Sequence, residues 1–228
     1  MNGRTSLSTK GTGASARYVK RAIDLVVGGL LLVLLAPVMA VVALALLVHS
    51  GRPALFRQVR PGLHQVPWTM CKFRTMRPAR DRAEFWHGDD ERTTKLGLLL
   101  RRTSLDELPQ LVHVVTGRMS LVGPRPLLME YLPRYSAHHL RRHEMRPGIT
   151  GLAQVSGRSW LTMRQRLDLD VRYVDEWSLW LDLRILARTL IVPFQQGHAT
   201  GQTIADIDDL NLCGDRDDEP VRSASSSR

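Results

Sequence analysis

Cysteine is nearly absent from this chain. Cys71 and Cys213 stand far apart with no metal-ligating residues beside them, which excludes a disulfide framework and reads as reduced cytosolic thiols. Aromatic residues are scarce at 6% and seldom alternate with basic ones. No helix-turn-helix, zinc or RNA-binding signature is present, so nucleic acid is not an expected partner despite the charge. Acidic residues are missing from positions 1 to 21, which hold Arg4, Lys10, Arg17, Lys20 and Arg21. Internal repeats are missing as well. What dominates instead is positive charge, a formal +10 over 228 residues. Such a balance calls for an anionic partner: a membrane surface, a phosphorylated small molecule or nucleic acid.

Charge of either sign is absent from residues 25 to 48, "LVVGGLLLVLLAPVMAVVALALLV". A run of this length is long enough to cross a bilayer as a helix. It is too long for a signal-peptide core and lacks a clean cleavage site. A fully buried soluble helix is the alternative. Both flanks are basic, however, and positive charge stays on the cytoplasmic side. A straight span cannot satisfy both flanks. Pro37 lies in the middle of the run, where it removes a backbone donor and kinks a helix. A helix that goes in, bends at Pro37 and returns to the same face reconciles these facts.

The chain after Ser50 reads as a soluble, α+β, mainly helical domain. "ALFRQVR" (54–60) and "VPWTMCKF" (66–73) predict a β-hairpin joined across "PGLHQ". Residues 78–95 predict a short helix and a surface loop, 108–117 a helix ending at Gly117, and 127–145 a helix broken at Pro133. "PGITG" (147–151) reads as a loop. Two amphipathic helices follow, the second ending before Pro193, and both suit an interfacial position. Trp177 and Trp180 fit either a bilayer interface or the core. The expected organisation is a flexible basic N-terminus (1–17), a membrane-embedded helix (18–49), a folded domain (50–200) and an acidic, disordered tail (201–228). In that tail, positions 206 to 219 hold seven acidic residues against Arg216.

Within "RRTSLDELPQL" (101–111), Asp106 and Glu107 are adjacent and follow Arg101 and Arg102. Ser104 and Glu107 have the spacing of a capping box. Pro109 opposes that reading, because it would remove a hydrogen bond from the helix so capped. A helix carrying Pro109 in its own first turn is more consistent, with the two carboxylates at or just before its N-terminus. Such a terminus with arginines beside it binds anions and keeps a carboxylate ionised. An ionised carboxylate in a phosphate pocket is a candidate nucleophile or metal ligand.

At these residues the chain resembles the bacterial sugar transferase family, the monotopic polyprenyl-phosphate phosphoglycosyl transferases, in their small form with one membrane helix. The resemblance is carried by "KRAIDL" (20–25), "FRQVRPG" (56–62), "KFRTM" (72–76), "LRRTSLDELPQL" (100–111), "MSLVGPRPL" (119–127), "RPGITGLAQVSGR" (146–158) and the spaced "DVRYVDEWS…D" ending at Asp182. It implies transfer of a hexose-1-phosphate from a nucleoside diphosphate sugar, a UDP-sugar by expectation, to polyprenyl (undecaprenyl) phosphate. The setting would be the cytoplasmic face of the bacterial inner membrane, at the start of glycoconjugate or exopolysaccharide synthesis. A covalent aspartyl-phosphosugar intermediate is implied, with Asp106 the nucleophile, Mg²⁺ near Asp106, and Glu107 the second member of the dyad. Lys72, Arg74, Arg101, Arg125 and Arg158 are the expected phosphate or substrate contacts. Lys20, Arg21 and Pro37 mark where the chain meets the membrane and the lipid phosphate.

Three positions depart from the family pattern. Ala36 precedes Pro37 where Ser is common, His113 stands for Asn, and Arg118 stands for Asp. His113 reads as packed rather than catalytic. Two rival functions remain at this point: a membrane-bound phosphohydrolase of diphosphate substrates, with water as acceptor, and a basic membrane-tethered nucleic-acid-binding protein.

Overall fold

The computed structural model describes residues 14–80, 89–157 and 161–195. Arg158, the tail from 201 and residues 81–88 of the charged stretch lie outside the described residues, as do positions 1–13.

Helix α1 runs from Ala14 to Ser50. From residue 25 to 48 its Leu-, Val- and Ala-rich sequence is apolar on all sides, and it is the helix long and apolar enough to cross a membrane among the described residues. At 1.5 Å per residue it corresponds to roughly 55 Å of helix. Pro37 lies inside one continuous helical segment. Both ends of α1 pack on the same folded body. Leu31, Leu32 and Leu35 pack on the main core, and Val42 and Leu46 bury against Phe73 and Leu100. Between them, Val33, Leu34 and Val41 are largely exposed, an apolar surface that water does not favour. Gly28 permits close approach: a Cβ there would lie 2.9 Å from Val114 Cγ1. After Ser50, Gly51 takes a positive φ of 70° and ends the helix.

The expected hairpin is present. Strands β1 (Leu55–Pro61) and β2 (Pro67–Phe73) pair antiparallel, Leu55 opposite Phe73 and Pro61 opposite Pro67. The turn closes with Gly62 N–H donating to the Val66 carbonyl at 2.9 Å. Two short helices follow, α2 (Asp89–Arg92) and α3 (Lys95–Arg102). Thr94 caps α3 by accepting from Gly97 N–H at 2.9 Å. Gly97 lies so close to the Thr75 carbonyl that any Cβ would overlap it, at 2.0 Å. This contact brings the last turn of α3, with Arg101, onto the end of the hairpin.

Residues Leu105–Gln110 form a 3-10 helix that leads directly into α4 (Leu111–Val115). The two carboxylates therefore lie in the first turn at the N-terminus of the helical segment, and Pro109 is its fifth residue instead of standing in its first turn. Ser104 has a left-handed backbone (φ 56°) and its side chain makes no capping bond, so no capping box forms. Pro109 lacks the N–H that an α-helical turn would require there, which accounts for a tighter, shorter turn.

Two elements were not expected. Ser120–Val122 (β3) and Gly148–Thr150 (β4) form a parallel two-stranded sheet, so "PGITG" is partly strand. The stretch 127–145 breaks into a 3-10 helix (Met129–Arg134), α5 (Ala137–Leu140) and a second 3-10 helix (Arg141–Glu144). Helix α6 (Leu152–Ser156) follows β4. Helix α7 (Met163–Glu176) starts with a Thr162–Gln165 capping box. Helix α8 (Leu179–Gln195) continues through Pro193 instead of stopping before it. The two tryptophans divide: Trp177 is core, whereas Trp180 is exposed with Arg184 over its ring. The molecule is thus mostly helical, with small two-stranded sheets and one long apolar N-terminal helix.

Candidate active site

A cavity of about 1190 Å³ opens between the hairpin, the start of the 3-10 helix and the loop after β3. Nine Arg and Lys side chains line it among the described residues, against one carboxylate, Glu107. That imbalance makes it an anion site, since buried cations need compensating charge.

The hairpin places Lys72 in the wall, level with Phe56 across the strands. Burial, with Arg101 next, pushes the Lys72 ammonium down to about 8. Arg101 reaches the cavity from α3, fixed by Nε donating to Thr75 Oγ1 at 3.0 Å. Arg125, on the Gly123–Pro126 loop, donates to Glu107 Oε1 at 2.6 Å. The loop is held from behind. Arg142 donates to the Arg125 carbonyl and, through Nε and Nη2, to Asp170 Oδ2 at 3.0 and 2.6 Å. Both partners of that ion pair are buried. Gly123 and Gly148 pack backbone to backbone, with no room for a Cβ on either.

Asp106 is buried at 6% exposure, just off the lining of the cavity. Lys72, Arg101, Arg125 and Glu107, which do line it, are the charges it feels. Burial and then Glu107 push the Asp106 carboxyl above the ordinary aspartate range, against the pull of the three cations. In the direction of this shift desolvation outweighs the cations. Among the described residues no hydrogen bond ties the Asp106 carboxylate, whereas Glu107 is engaged by Arg125.

Other residues named from sequence sit elsewhere. Arg74 borders the cavity, but its guanidinium donates to the carbonyls of Ser50, Gly51 (2.7 Å) and Arg52 (3.3 Å), closing the C-terminus of α1. Lys20 is buried and donates to Asp182 Oδ2 at 2.6 Å and the Val122 carbonyl at 3.0 Å. Arg21 donates to the Val114 and Val115 carbonyls at 2.6 and 2.9 Å, capping α4. Both cations are thus engaged by protein groups. His113 is packed: its Nε2 accepts from Cys71 N–H at 3.1 Å and its ring meets Trp68 edge-on. Sequence reading missed Arg60, Tyr131 and Arg166, which also line the cavity. Arg60 stood inside the quoted "FRQVRPG", so a signal existed; Arg166 had none beyond its place on an amphipathic helix.

The fit for a magnesium ion can be tested on the donors present. Among the described residues no group of three or more ligating side chains gathers, and Asp106 with Glu107 supplies two carboxylates that repel each other. Mg²⁺ is commonly held by one or two carboxylates together with substrate phosphates, so the donor set fits that mode.

A basic cavity beside a long apolar helix, with a buried carboxylate among cations, suggests membrane association and suits a phosphorylated ligand. Residues 15–196 match the family model described as bacterial sugar transferase, and the chain belongs to that family. It is 48% identical over 172 residues to the uncharacterized sugar transferase EpsL of Bacillus subtilis (75% of this chain, 85% of the relative). It is 46% identical over 182 residues to the UDP-glucose:undecaprenyl-phosphate glucose-1-phosphate transferase of Caulobacter vibrioides (75% and 68%). The protein of the same description from Escherichia coli K12 is 40% identical over 188 residues, and the match covers 78% of this chain and 40% of that longer relative. The chain is accordingly an enzyme of the sugar-phosphate transferase class.

Proposed function

We propose that this enzyme moves a hexose-1-phosphate from a UDP-sugar to undecaprenyl-type polyprenyl phosphate through a covalent aspartyl-phosphosugar. The observation carrying the proposal is the cation-lined cavity with Asp106 among Lys72, Arg101 and Arg125. An Asp106 oxygen attacks the sugar-proximal phosphorus. The bond from that phosphorus to the bridging oxygen breaks, and UMP leaves with the electron pair. A phosphate oxygen of the lipid then attacks the same phosphorus, and the aspartyl bond breaks to regenerate the carboxylate. Lys72, Arg101 and Arg125 balance charge on the phosphoryl oxygens. Glu107 keeps Arg125 oriented. A bound Mg²⁺, held by Asp106 with Glu107 adjacent, would supply further charge neutralisation on the diphosphate.

The apolar end of the same cavity, formed by Ala43 of α1 with Pro53, Ala54, Leu55 and Phe56, suits the polyprenyl chain. We read α1 as re-entrant from the cytoplasmic face of the inner membrane. Support comes from both of its ends packing on one body and from basic residues on both flanks. Exposed Trp180, Leu183, Leu190 and Ile191 on α8 suit the lipid interface.

The test is turnover of UDP-glucose and other UDP-hexoses with polyprenyl phosphate and Mg²⁺ in detergent, following UMP release. Labelled sugar phosphate should be trapped on wild-type protein and not on Asp106→Asn. Full turnover by Asp106→Asn removes the nucleophile. Release of sugar phosphate without lipid acceptor, at the same rate as with it, would turn the reading to hydrolysis. Cysteines placed on either side of residues 25–48 should label from the same face of the membrane, and labelling from opposite faces rejects the re-entrant helix.

A further inference from the structure

The cavity extends beyond the dyad. Phe56, Gln58 and Arg60 line it along β1, with Lys72 and Met70 facing them on β2. Phe56 is level with Lys72, and Arg60 lies four residues further on, about 13 Å of strand. This far end is walled by Arg60, Leu127, Leu128, Tyr131, Met163 and Arg166, so a second cationic patch sits in mainly apolar surroundings.

Arg60 is incompletely satisfied. Its Nη2 donates to Gln58 Oε1 at 2.6 Å, but its Nε is buried without a hydrogen-bond partner among the described residues. Buried guanidinium N–H groups are rarely left in that condition. Glu130 is the carboxylate whose charge acts on Arg60, and Arg166, on which Asp170 acts, donates through Nε to the Leu161 carbonyl at 3.1 Å. Burial, then Arg125, pushes Arg60 down to about 10, and the same two causes lower Arg166. Arg125 is the charge common to both ends, since it also acts on Lys72 and Asp106.

We propose that Arg60 and Arg166, sharing Arg125 with the dyad, form a subsite for the phosphate of a nucleoside monophosphate, with Tyr131 and Met163 flanking the nucleoside. The assignment rests on the phosphosugar-transfer reading. A diphosphate whose sugar-proximal phosphorus meets Asp106 must direct its other phosphate away from the dyad. That second phosphate gains charge as the bridging bond breaks, and cations beyond Arg125 stabilise it there. The apolar residues beside those cations exclude water and favour a ring-bearing ligand over free phosphate.

The experiment is equilibrium titration of the full detergent-solubilised chain with UMP, using uridine and inorganic phosphate as comparison probes. Arg60→Gln and Arg166→Gln should each weaken UMP about tenfold, the loss of one charge-assisted hydrogen bond, and leave uridine unchanged. Arg60→Lys keeps the charge and guards against misfolding; it should bind UMP more tightly than Arg60→Gln. Unchanged UMP affinity in both Gln variants overturns the subsite, as does a wild type that binds no nucleoside monophosphate. An Arg60→Lys protein as weak as Arg60→Gln, with both melting below wild type, overturns it too. The two readings separate cleanly. Asp106-dependent transfer with UMP affinity indifferent to Arg60 and Arg166 ends the subsite alone. UMP binding through these arginines without any sugar-phosphate transfer ends the transfer reading alone.

Discussion

Two sets of buried or half-buried cations divide this molecule. In the seam between α1 and the rest of the fold, Lys20 meets Asp182, whose other oxygen accepts from Tyr173 Oη at 2.8 Å, and Asp24 accepts from Ser120 Oγ and Leu121 N–H. Arg21 and Arg74 terminate helices by donating to carbonyls. Arg142 is matched to Asp170. Every one of these cations has an acceptor supplied by the chain itself. Around the cavity the carboxylates are fewer: Glu107 is the one that lines it among the described residues, beside Lys72, Arg101 and Arg125. The same residue types therefore do opposite work. Cations matched to buried carboxylates lock the architecture, and those around the cavity give it a positive surplus that favours a phosphorylated ligand.

The comparison can be broken most severely at Asp106. Asp106→Asn is expected to lower turnover by roughly 10⁶-fold, the scale of losing a covalent nucleophile, with little change in melting temperature. Turnover assays beside thermal unfolding check both halves. On the structural side, Lys20→Met strands the buried Asp182 carboxylate and should cost about 3 kcal/mol. That corresponds to a fall in melting temperature of roughly 6–12 °C, and a Lys20→Met protein as stable as wild type would reassign Lys20 from structure to ligand binding.

A smaller effect sharpens the contrast through pH. Activity should fall on the acid side at a higher pH than an ordinary aspartate would give, because Asp106 is pushed upward. It should fall again as pH rises through about 8, where Lys72 loses its proton. Stability has the opposite sign on that alkaline side. The unfolded chain holds the Lys72 proton up to its ordinary value of 10.5, so between about 8 and 10.5 the unfolded state binds more protons and stability from this group rises with pH. Lys72→Arg should flatten both trends, which pH–rate and pH–unfolding profiles measure together. Smallest is His113→Ala. It leaves the Cys71 N–H without its acceptor and should cost about 1–2 kcal/mol, with turnover per folded molecule unchanged.

Much of this arrangement could be read before any fold was known. Alternation in 54–60 and 66–73 with a Pro-Gly between them located the hairpin. The adjacent carboxylates behind two arginines located the dyad, and Pro109 argued against a capping box that Ser104 indeed does not make. Other parts carried no local signal. Strands β3 and β4 are three residues each, too short for an alternating pattern. Lys20 finds Asp182 across a separation of 162 residues. Arg60 and Arg166 share a cavity although 106 positions separate them, a distance taken from their numbering.

Sequence alone determined what each segment is capable of: an uncharged run suited to lipid, a basic surplus suited to anions, and an adjacent pair of carboxylates behind two arginines. These follow from composition and local periodicity, which act over a few residues. Tertiary structure decided which cations keep an acceptor from the chain and which face the cavity, because compensation of a buried charge depends on neighbours distant in sequence. It also decided the surroundings of Asp106, where burial pushes the carboxyl upward against the pull of the surrounding cations.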